Sequence, residues 1–149
     1  MISQQEKDFF LSLFQKTPNI AMLHIGNDST QIQNILLDFV SFLDGIVTYK
    51  SCINLDFEKF RLTARSFEYA VICNCLDSVP NHNKFIQEIY HSLENSANII
   101  LIVDKSKNNL QYMIELLDNN DFRAANSIDI FQDYYVVTGK KMHMWGNGL

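Results

Sequence analysis

Residues 66–103 read SFEYAVICNCLDSVPNHNKFIQEIYHSLENSANIILIV, and this stretch decides the fold class. The apolar run Tyr69–Cys73 has the length and character of a buried strand. A polar loop containing Pro80 follows, and Phe85–Leu93 then places its apolar residues at helical spacing. Asn98–Val103 is a second apolar run. A strand, a helix and a strand in this order predict two parallel strands joined by a crossover helix.

The chain before this stretch shows the same alternation. Ile20–Ile25 and Ile46–Tyr49 predict two further strands. Between them, apolar residues at helical spacing predict a helix that begins after Asp28-Ser29-Thr30 and stops at Asp44-Gly45. A helix is also predicted over Ile2–Lys16. Its apolar stripe consists of Phe9, Phe10, Leu13 and Phe14. This helix is expected to cover one face of the sheet.

The chain after this stretch ends in a different pattern. Residues 110–117 predict one more helix, closed by Asn119-Asn120. Ala125–Ile130 and Tyr134–Thr138 then predict two strands joined by the short link 131–133, as in a hairpin. The whole pattern predicts an α/β fold: an open, mostly parallel sheet in three layers, Rossmann-like, with a C-terminal antiparallel hairpin.

Composition limits the class of protein. The chain has 149 residues, 47% of them hydrophobic and 19% charged, which is enough to build the core of a single domain. The formal net charge of −5 argues against nucleic acid as a partner, because nucleic-acid binders carry a basic face. No apolar run approaches the roughly 20 residues of a membrane-spanning helix.

Three cysteines are present, at Cys52, Cys73 and Cys75. An odd count, together with an N-terminus that lacks the pattern of a secretory signal, favours reduced thiols and a cytoplasmic protein. The C-x-C spacing at 73–75 is too short for a C-x-x-C redox or zinc motif, and on a strand the two side chains would share one face. We therefore expect buried structural thiols and no metal site.

Residues 66–103 resemble class I S-adenosylmethionine-dependent methyltransferases. Ser66–Ile72 is similar to the fourth-strand pattern of that family, in which a Phe-acid pair precedes an apolar run. Residues 74–80 resemble the loop after that strand, 85–93 the next helix, and Asn98–Val103 the fifth strand. The resemblance extends over about residues 20–139. It implies a single methyltransferase-like domain over 1–149, with an N-terminal helix in 1–17 and a C-terminal tail in 140–149.

The resemblance also implies a cofactor site. His24-Ile25-Gly26-Asn27-Asp28-Ser29 stands where the family has an acid-x-Gly-x-Gly turn. His24 replaces the acid and Asp28 replaces the second glycine, where its side chain would crowd the methionine end of S-adenosylmethionine. The cofactor-binding residues implied are Gly26, Asn27, Asp28, Asp56, Phe57, Asn74, Cys75 and Leu76. The substrate-binding residues implied are Asp77 and Tyr49.

Two departures leave the function open. No acid stands at 47–50, where the family has a ribose-binding acid, and 50–66 is too short for a helix, a full strand and a loop. Within that segment Ile53, Leu55 and Phe57 alternate with polar residues and predict a half-exposed strand. One hypothesis is a methyltransferase that acts on an unknown small-molecule or protein acceptor, with S-adenosylmethionine as cofactor. The alternative is a catalytically inactive binding or assembly module with no cofactor, as a homodimer through the N-terminal helix or the C-terminal tail.

Several residues keep structural alternatives. Asp77 or Ser78 could cap the helix behind Pro80 instead of facing a substrate. His24 could be a hydrogen-bonded core residue instead of an acid–base group. The tail Lys140–Leu149 carries the single tryptophan, and it is expected to dock on its own domain or on a partner. A different doubly wound nucleotide-binding domain would need a G-x-G-x-x-G turn, which the chain lacks.

Overall fold

The computed structural model describes residues 1–142, and this part of the chain forms one six-stranded sheet with helices on both faces. The strands are β1 (Ala21–Gly26), β2 (Ile46–Ser51), β3 (Phe67–Cys73), β4 (Leu93–Asp104), β5 (Arg123–Ile128) and β6 (Tyr134–Lys140). The helices are α1 (Gln4–Leu11), α2 (Thr30–Ser41), α3 (His82–Ser92) and α4 (Leu110–Asn119).

The strand order is β2-β1-β3-β4-β6-β5. The first four strands of this order are parallel, and β6 runs antiparallel to both of its neighbours. Parallel pairing follows from the crossover helices, since α2 connects β1 to β2 and α3 connects β3 to β4. The structure thus confirms the predicted open, mostly parallel sheet with a C-terminal antiparallel hairpin.

The sheet is buried between two layers of helices. Successive side chains of a strand point to opposite faces, so Met22 and Val71 contact the layer of α1 and α2, whereas Leu23 and Ile72 contact the layer of α3 and α4. The apolar run of β4 contributes to both cores, and Leu101 in it is fully buried. The run lacks the alternation of a half-exposed strand because both of its faces are covered.

Three helices begin at side-chain caps. Ser3 and Glu6 form a capping box at α1, with Ser3 Oγ accepting from Glu6 N at 3.1 Å. Asn81 caps α3 and Asn109 caps α4. The expectation that Asp77 or Ser78 caps α3 is wrong, because a 3₁₀ turn and Pro80 separate those residues from the first turn of the helix.

The N-terminal helix is shorter than predicted. It ends at Leu11, and two i→i−3 turns follow, in which Leu13 N donates to Phe10 O and Phe14 N donates to Leu11 O. The turns bring the Phe14 ring to 4.9 Å from the Tyr69 ring, so the segment still covers the sheet. Phe9 points away from the sheet and is 47% exposed.

The middle of the chain contains no strand between β2 and β3. A 3₁₀ turn over Cys52–Asn54 leads into irregular chain up to Phe67, so the predicted half-exposed strand at 53–57 is wrong and the predicted shortening of this region is confirmed. The alternation has another cause: Leu55 and Phe57 pack on the core under α3, while their polar neighbours stay outside. Beside β2 the sheet therefore ends without a further strand.

The C-terminal hairpin has a longer link than predicted. β5 ends at Ile128, because Ile130 and Phe131 leave the strand and pack against α1, with the Phe131 ring 5.7 Å from the Phe10 ring. After β6, Lys141 Nζ donates to Tyr90 O and Leu93 O at 2.9 and 2.7 Å. The prediction of docking was made for the tail Lys140–Leu149, of which 143–149 lie outside the described residues.

Among residues 1–142, no helix is both long enough and apolar enough to cross a membrane.

Candidate functional site

Two turns lie side by side at the edge of the sheet where the parallel strands end. The first follows β1 and the second follows β3. Asn27 N donates to Cys73 O at 3.0 Å, and Asn74 Nδ2 donates to Asn27 O at 3.4 Å. Asp28 and Asn74 have φ of 51° and 58°, in the left-handed region that glycine adopts most easily. The Asp28 backbone thus keeps a conformation suited to the glycine that the resemblance implies there.

A polar cavity of about 190 Å³ lies between these turns. Five predicted site residues line it: Asn27, Asp28, Asn74, Leu76 and Asp77. They meet because the carboxyl ends of neighbouring parallel strands lie at one edge of the sheet. The lining also includes Asp104, Lys107 and Tyr134, which no sequence motif singled out as site residues. Hydrogen bonds from Ser106 lower the pKa of Asp104, so its carboxylate is ionised at neutral pH.

A larger cavity of about 390 Å³ shares Asp28 and Asn74 with the first. Its other walls come from the start of α1, the first turn of α2 and residues 131–134. The side chains of Glu6, Asp28 and Asp133 give it an acidic lining, and the lining contains no lysine, arginine or histidine. A hydrogen bond from Ser3 N lowers the pKa of Glu6. No local motif predicts this cavity, because it depends on how the N-terminal segment meets the β5–β6 link.

The space into which a Cβ atom of residue 26 would point is filled by other side chains of the protein. A Cβ built on Gly26 would overlap Ser29 Oγ and would lie 2.8 Å from His24 Nε2. Ser29 is 6% exposed and His24 is fully buried. Ser29 stands at the N-cap of α2 but makes no capping hydrogen bond, because its hydroxyl is directed at Gly26. The close packing that Gly26 permits is therefore with Ser29 and His24.

His24 is held as a neutral core residue. Its Nδ1 donates to Gln33 Oε1 at 2.5 Å, which leaves Nε2 as the unprotonated ring nitrogen. Burial lowers the pKa of His24, and the hydrogen bond to Gln33 partly opposes this. His24 Nε2 and Ser29 Oγ are both buried without a hydrogen-bond partner. This arrangement agrees with the structural alternative for His24, that of a hydrogen-bonded core residue.

Tyr49 lies near the carboxyl end of β2, next to His24 and Gly26 of β1. Its ring lies edge-on to His24 with the centroids 5.0 Å apart, and its hydroxyl donates to Gly26 O at 3.5 Å. The neighbouring position in the strand carries Lys50. The last three residues of β2, Tyr49, Lys50 and Ser51, thus carry a phenol, an ammonium group and a hydroxyl, and none of them carries a carboxylate.

Three of the predicted cofactor-binding residues, Asp56, Phe57 and Cys75, line neither of these two cavities. Asp56 Oδ1 accepts from Glu58 N at 3.1 Å within a local turn. Phe57 packs its ring 5.9 Å from Phe85 and lines a separate cavity of about 170 Å³ beside α3. Cys75 is 1% exposed, and its Sγ donates to Ile25 O at 3.3 Å. Their cofactor-binding role stays a prediction; the geometry gives Phe57 and Cys75 a packing role and Asp56 a place in a local turn.

The three cysteines are free, buried thiols, as predicted. Cys73 and Cys75 nevertheless belong to opposite cores, because β3 ends at Cys73 and the left-handed Asn74 reverses the chain. Burial, with a smaller effect of Cys52, raises the pKa of Cys73 to about 12, and it also raises that of Cys75. Within residues 1–142, no group of three or more His, Cys, Asp or Glu side chains is arranged to hold a metal ion.

Comparison with known proteins identifies the fold. No family model and no curated protein matches the sequence. In structure, the chain is similar to a SAM-dependent methyltransferase from Aquifex aeolicus, with a TM-score of 0.73 at 10% identity over 91% of this chain and 89% of that one. The chain has the fold of these methyltransferases.

Two larger methyltransferases are similar as well. One is phosphoethanolamine N-methyltransferase 2 from Haemonchus contortus in complex with phosphomonomethylethanolamine and S-adenosylhomocysteine, with a TM-score of 0.71 at 11% identity over 95% of this chain. The other is the CurJ carbon methyltransferase, with a TM-score of 0.65 at 11% identity over 89% of this chain. The similarity covers 53% and 51% of those two chains, so this chain spans about half of their length.

Proposed function

We propose that this chain keeps the methyltransferase fold but not the cofactor site of those enzymes, and that it acts as a non-catalytic binding or assembly module. The observation that carries the proposal is the packing of Ser29 and His24 against Gly26. A glycine-rich turn serves a nucleotide site by letting the ligand approach the backbone. Here the Cβ side of Gly26 is filled by side chains of the same chain, and Gly26 lines neither of the two cavities at this edge of the sheet.

The fit of S-adenosylmethionine to the remaining groups is poor for two further reasons. The end of β2 presents Tyr49 and Lys50 where a ribose would need a carboxylate. Asp28 adds a negative charge beside the first turn of α2, where the carboxylate of the cofactor would have to lie, and like charges repel there. The residues present therefore do not fit the cofactor in the manner that the resemblance implies.

Thermal unfolding in the presence of S-adenosylmethionine tests the proposal. A ligand at 100 times its dissociation constant stabilises the native state by about 2.7 kcal/mol. For a chain of this length that corresponds to a rise in Tm of roughly 5–10 °C. We expect a shift below about 1 °C at millimolar S-adenosylmethionine or S-adenosylhomocysteine. A rise that grows with ligand concentration and then levels off would overturn the proposal.

A methyltransferase with a displaced cofactor is the second candidate. It is favoured by the 390 Å³ cavity, which lies where ligands bind in open α/β sheets and which reaches Asp28 and Asn74. For this candidate, the thermal shift should appear in the wild-type chain and should fall when Asn74, which lines both cavities, is replaced by leucine. Asn54→Leu, at an exposed position in the turn after β2 that lines neither cavity, is the matched control.

A further inference from the structure

We propose that residues 143–149 of the tail bind in the groove between α1 and α2 of the same chain, with Trp145 as the anchor. The sequence left two binding surfaces open for the tail, its own domain and a partner, and this groove belongs to its own domain. The contact does not involve S-adenosylmethionine. It can therefore be absent while the cofactor proposal stands, and the reverse also holds.

The groove separates the two helices that cover one face of the sheet. It has a volume of about 600 Å³, and its apolar lining consists of Leu11, Phe39, Phe42 and Leu43. Phe42, at the end of α2, is 88% exposed. The rest of the lining includes two lysines and two aspartates, whose charges cancel. Exposed apolar surface with a polar rim is typical of an interaction site, and this one suits an uncharged apolar segment.

Residues 143–149 read HMWGNGL and have that composition. Met144, Trp145 and Leu149 are apolar, and the segment contains no aspartate, glutamate, lysine or arginine. Tryptophan is a frequent anchor of binding surfaces, and methionine adapts its shape to irregular gaps. Burial of Met144 and Trp145 removes apolar surface from water without burying a charged side chain.

The described part of the chain leads to this groove. β6 runs antiparallel to β4, so it ends at the edge of the sheet where the parallel strands begin, and α2 ends at the same edge. Lys140, the last residue of β6, lines a cavity of about 340 Å³ together with Gln15 and Thr17. Lys16, between those two residues, lines the groove. The tail therefore leaves the sheet beside one end of the groove.

The segment is long enough to span the remaining distance. Lys140 and Tyr69 are aligned across β4, two strand spacings or roughly 10 Å apart. The Phe14 ring lies 4.9 Å from the Tyr69 ring and 5.7 Å from the ring of Phe39, which lines the groove. Phe39 is thus within about 20 Å of Lys140, whereas residues 141–149 span up to about 30 Å when extended. Trp145 alone is up to about 17 Å from Lys140, before its own side chain is counted.

Other exposed apolar side chains lie farther from the end of β6. Ile53 follows the carboxyl end of β2, Tyr112 stands near the start of α4, and Tyr134 begins β6. All three are at the edge opposite to the one where β6 ends. At the edge where β6 ends, Phe42 and Ile46 are the most exposed large apolar side chains of residues 1–142, at 88% and 68%. Docking over Phe42 therefore covers the apolar surface that a nearby segment can reach.

Tryptophan fluorescence of the full chain is the first test, because Trp145 is the single tryptophan and the emission reports on its surroundings alone. We expect emission at a shorter wavelength than that of N-acetyltryptophanamide and weaker quenching by acrylamide, both independent of protein concentration. Emission and quenching equal to those of the free amide would overturn the inference. Values that change with protein concentration would overturn it as well, since they would show docking on a second copy.

Substitution of Phe42 locates the contact. Phe42→Gln removes the most exposed apolar side chain of the groove and should lower the equilibrium constant of docking roughly tenfold. Emission should then shift to longer wavelength, and quenching should become stronger. Ile53→Gln, at a position 65% exposed at the opposite edge, is the matched control and should leave both unchanged. Equal effects of the two variants would contradict docking over Phe42.

Cysteine cross-linking tests the same contact with Phe42 in place. Ser12 is exposed and lines the groove, so diamide should link Ser12→Cys to Met144→Cys within one chain, taking two protons and two electrons from the two thiols. A disulfide needs Cα atoms within about 7 Å of each other, and mass spectrometry of the digested chain identifies the linked peptides. The native cysteines are at most 3% exposed and do not compete.

The control pair for cross-linking is Ser78→Cys with Met144→Cys, because Ser78 is exposed in the 3₁₀ turn at the opposite edge. This pair should stay unlinked under the same conditions. No linkage between positions 12 and 144, linkage only between separate chains, or equal linkage of the two pairs would each overturn the inference.

Discussion

Replacing Gly26 with alanine is expected to lower the free energy of unfolding by about 1–3 kcal/mol, the usual cost of inserting a methyl group into packed surroundings. The new Cβ would overlap Ser29 Oγ and press on His24 Nε2, and His24 is fixed by Gln33 and Tyr49. The cost therefore comes from side chains of the protein and not from backbone strain. Urea denaturation followed by circular dichroism measures it.

A double-mutant cycle shows whether Ser29 is the group that fills this space. Ser29→Gly removes the Cβ and the unpartnered hydroxyl, and glycine is tolerated at an N-cap. In that background Gly26→Ala should cost clearly less, with a coupling energy between the two positions of roughly 0.5–3 kcal/mol. Strictly additive effects would mean that Ser29 does not occupy the Cβ side of Gly26.

The second large effect is a loss of stability in mild acid that depends on His24. Burial lowers the pKa of His24 below its ordinary value of 6.5 in the folded chain. The unfolded chain then binds a proton as the pH falls below 6.5, while the folded chain resists it. Stability is fully present above that pH and is lost towards the lower folded-state pKa, by up to about 1.4 kcal/mol per pH unit.

Urea denaturation at pH 7.5, 6.5 and 5.5 measures this loss. His24→Gln should flatten the pH dependence, because the buried titrating group is gone. His91→Gln is the matched control: His91 lies exposed at the end of α3, and this substitution should leave the slope unchanged. An equal slope in the wild type and in His24→Gln would show that protonation of His24 does not limit stability.

The sequence predicts well those parts of the fold that depend on local patterns. Apolar runs and helical spacing predict β3, α3 and residues 98–103 of β4, because the sheet buries both of its faces. They do not predict the first part of β4, which begins at Leu93, a residue that the spacing assigns to the helix. The alternation of apolar and polar residues at 53–57 wrongly predicts a strand. An irregular segment that buries one side gives the same alternation as a half-exposed strand. The sequence does not predict that α1 ends at Leu11, because Phe14 can reach the sheet from the turns after the helix as well as from a longer helix.

In the candidate site, too, the sequence predicts what depends on strand order and does not predict what depends on side-chain packing. Asn27, Asp28, Asn74, Leu76 and Asp77 line one cavity because strand order alone brings the two turns together, while their binding roles stay predictions. The contacts of Gly26 with Ser29, and of Tyr49 with His24, depend on side-chain packing that no spacing encodes. The sequence carried one signal of them, the histidine that stands where the methyltransferase pattern has an acid. A histidine at that position can be buried in neutral form, which a carboxylate resists.

Isothermal titration calorimetry of S-adenosylmethionine into the wild-type chain tests the central claim most directly. Thermal unfolding infers binding from stability, whereas calorimetry detects it at a fixed temperature. The packing of Ser29 and His24 against Gly26 predicts no saturable heat at millimolar cofactor. Saturable heat with one site per chain and a dissociation constant below about 1 mM, or −4.1 kcal/mol, would contradict the account.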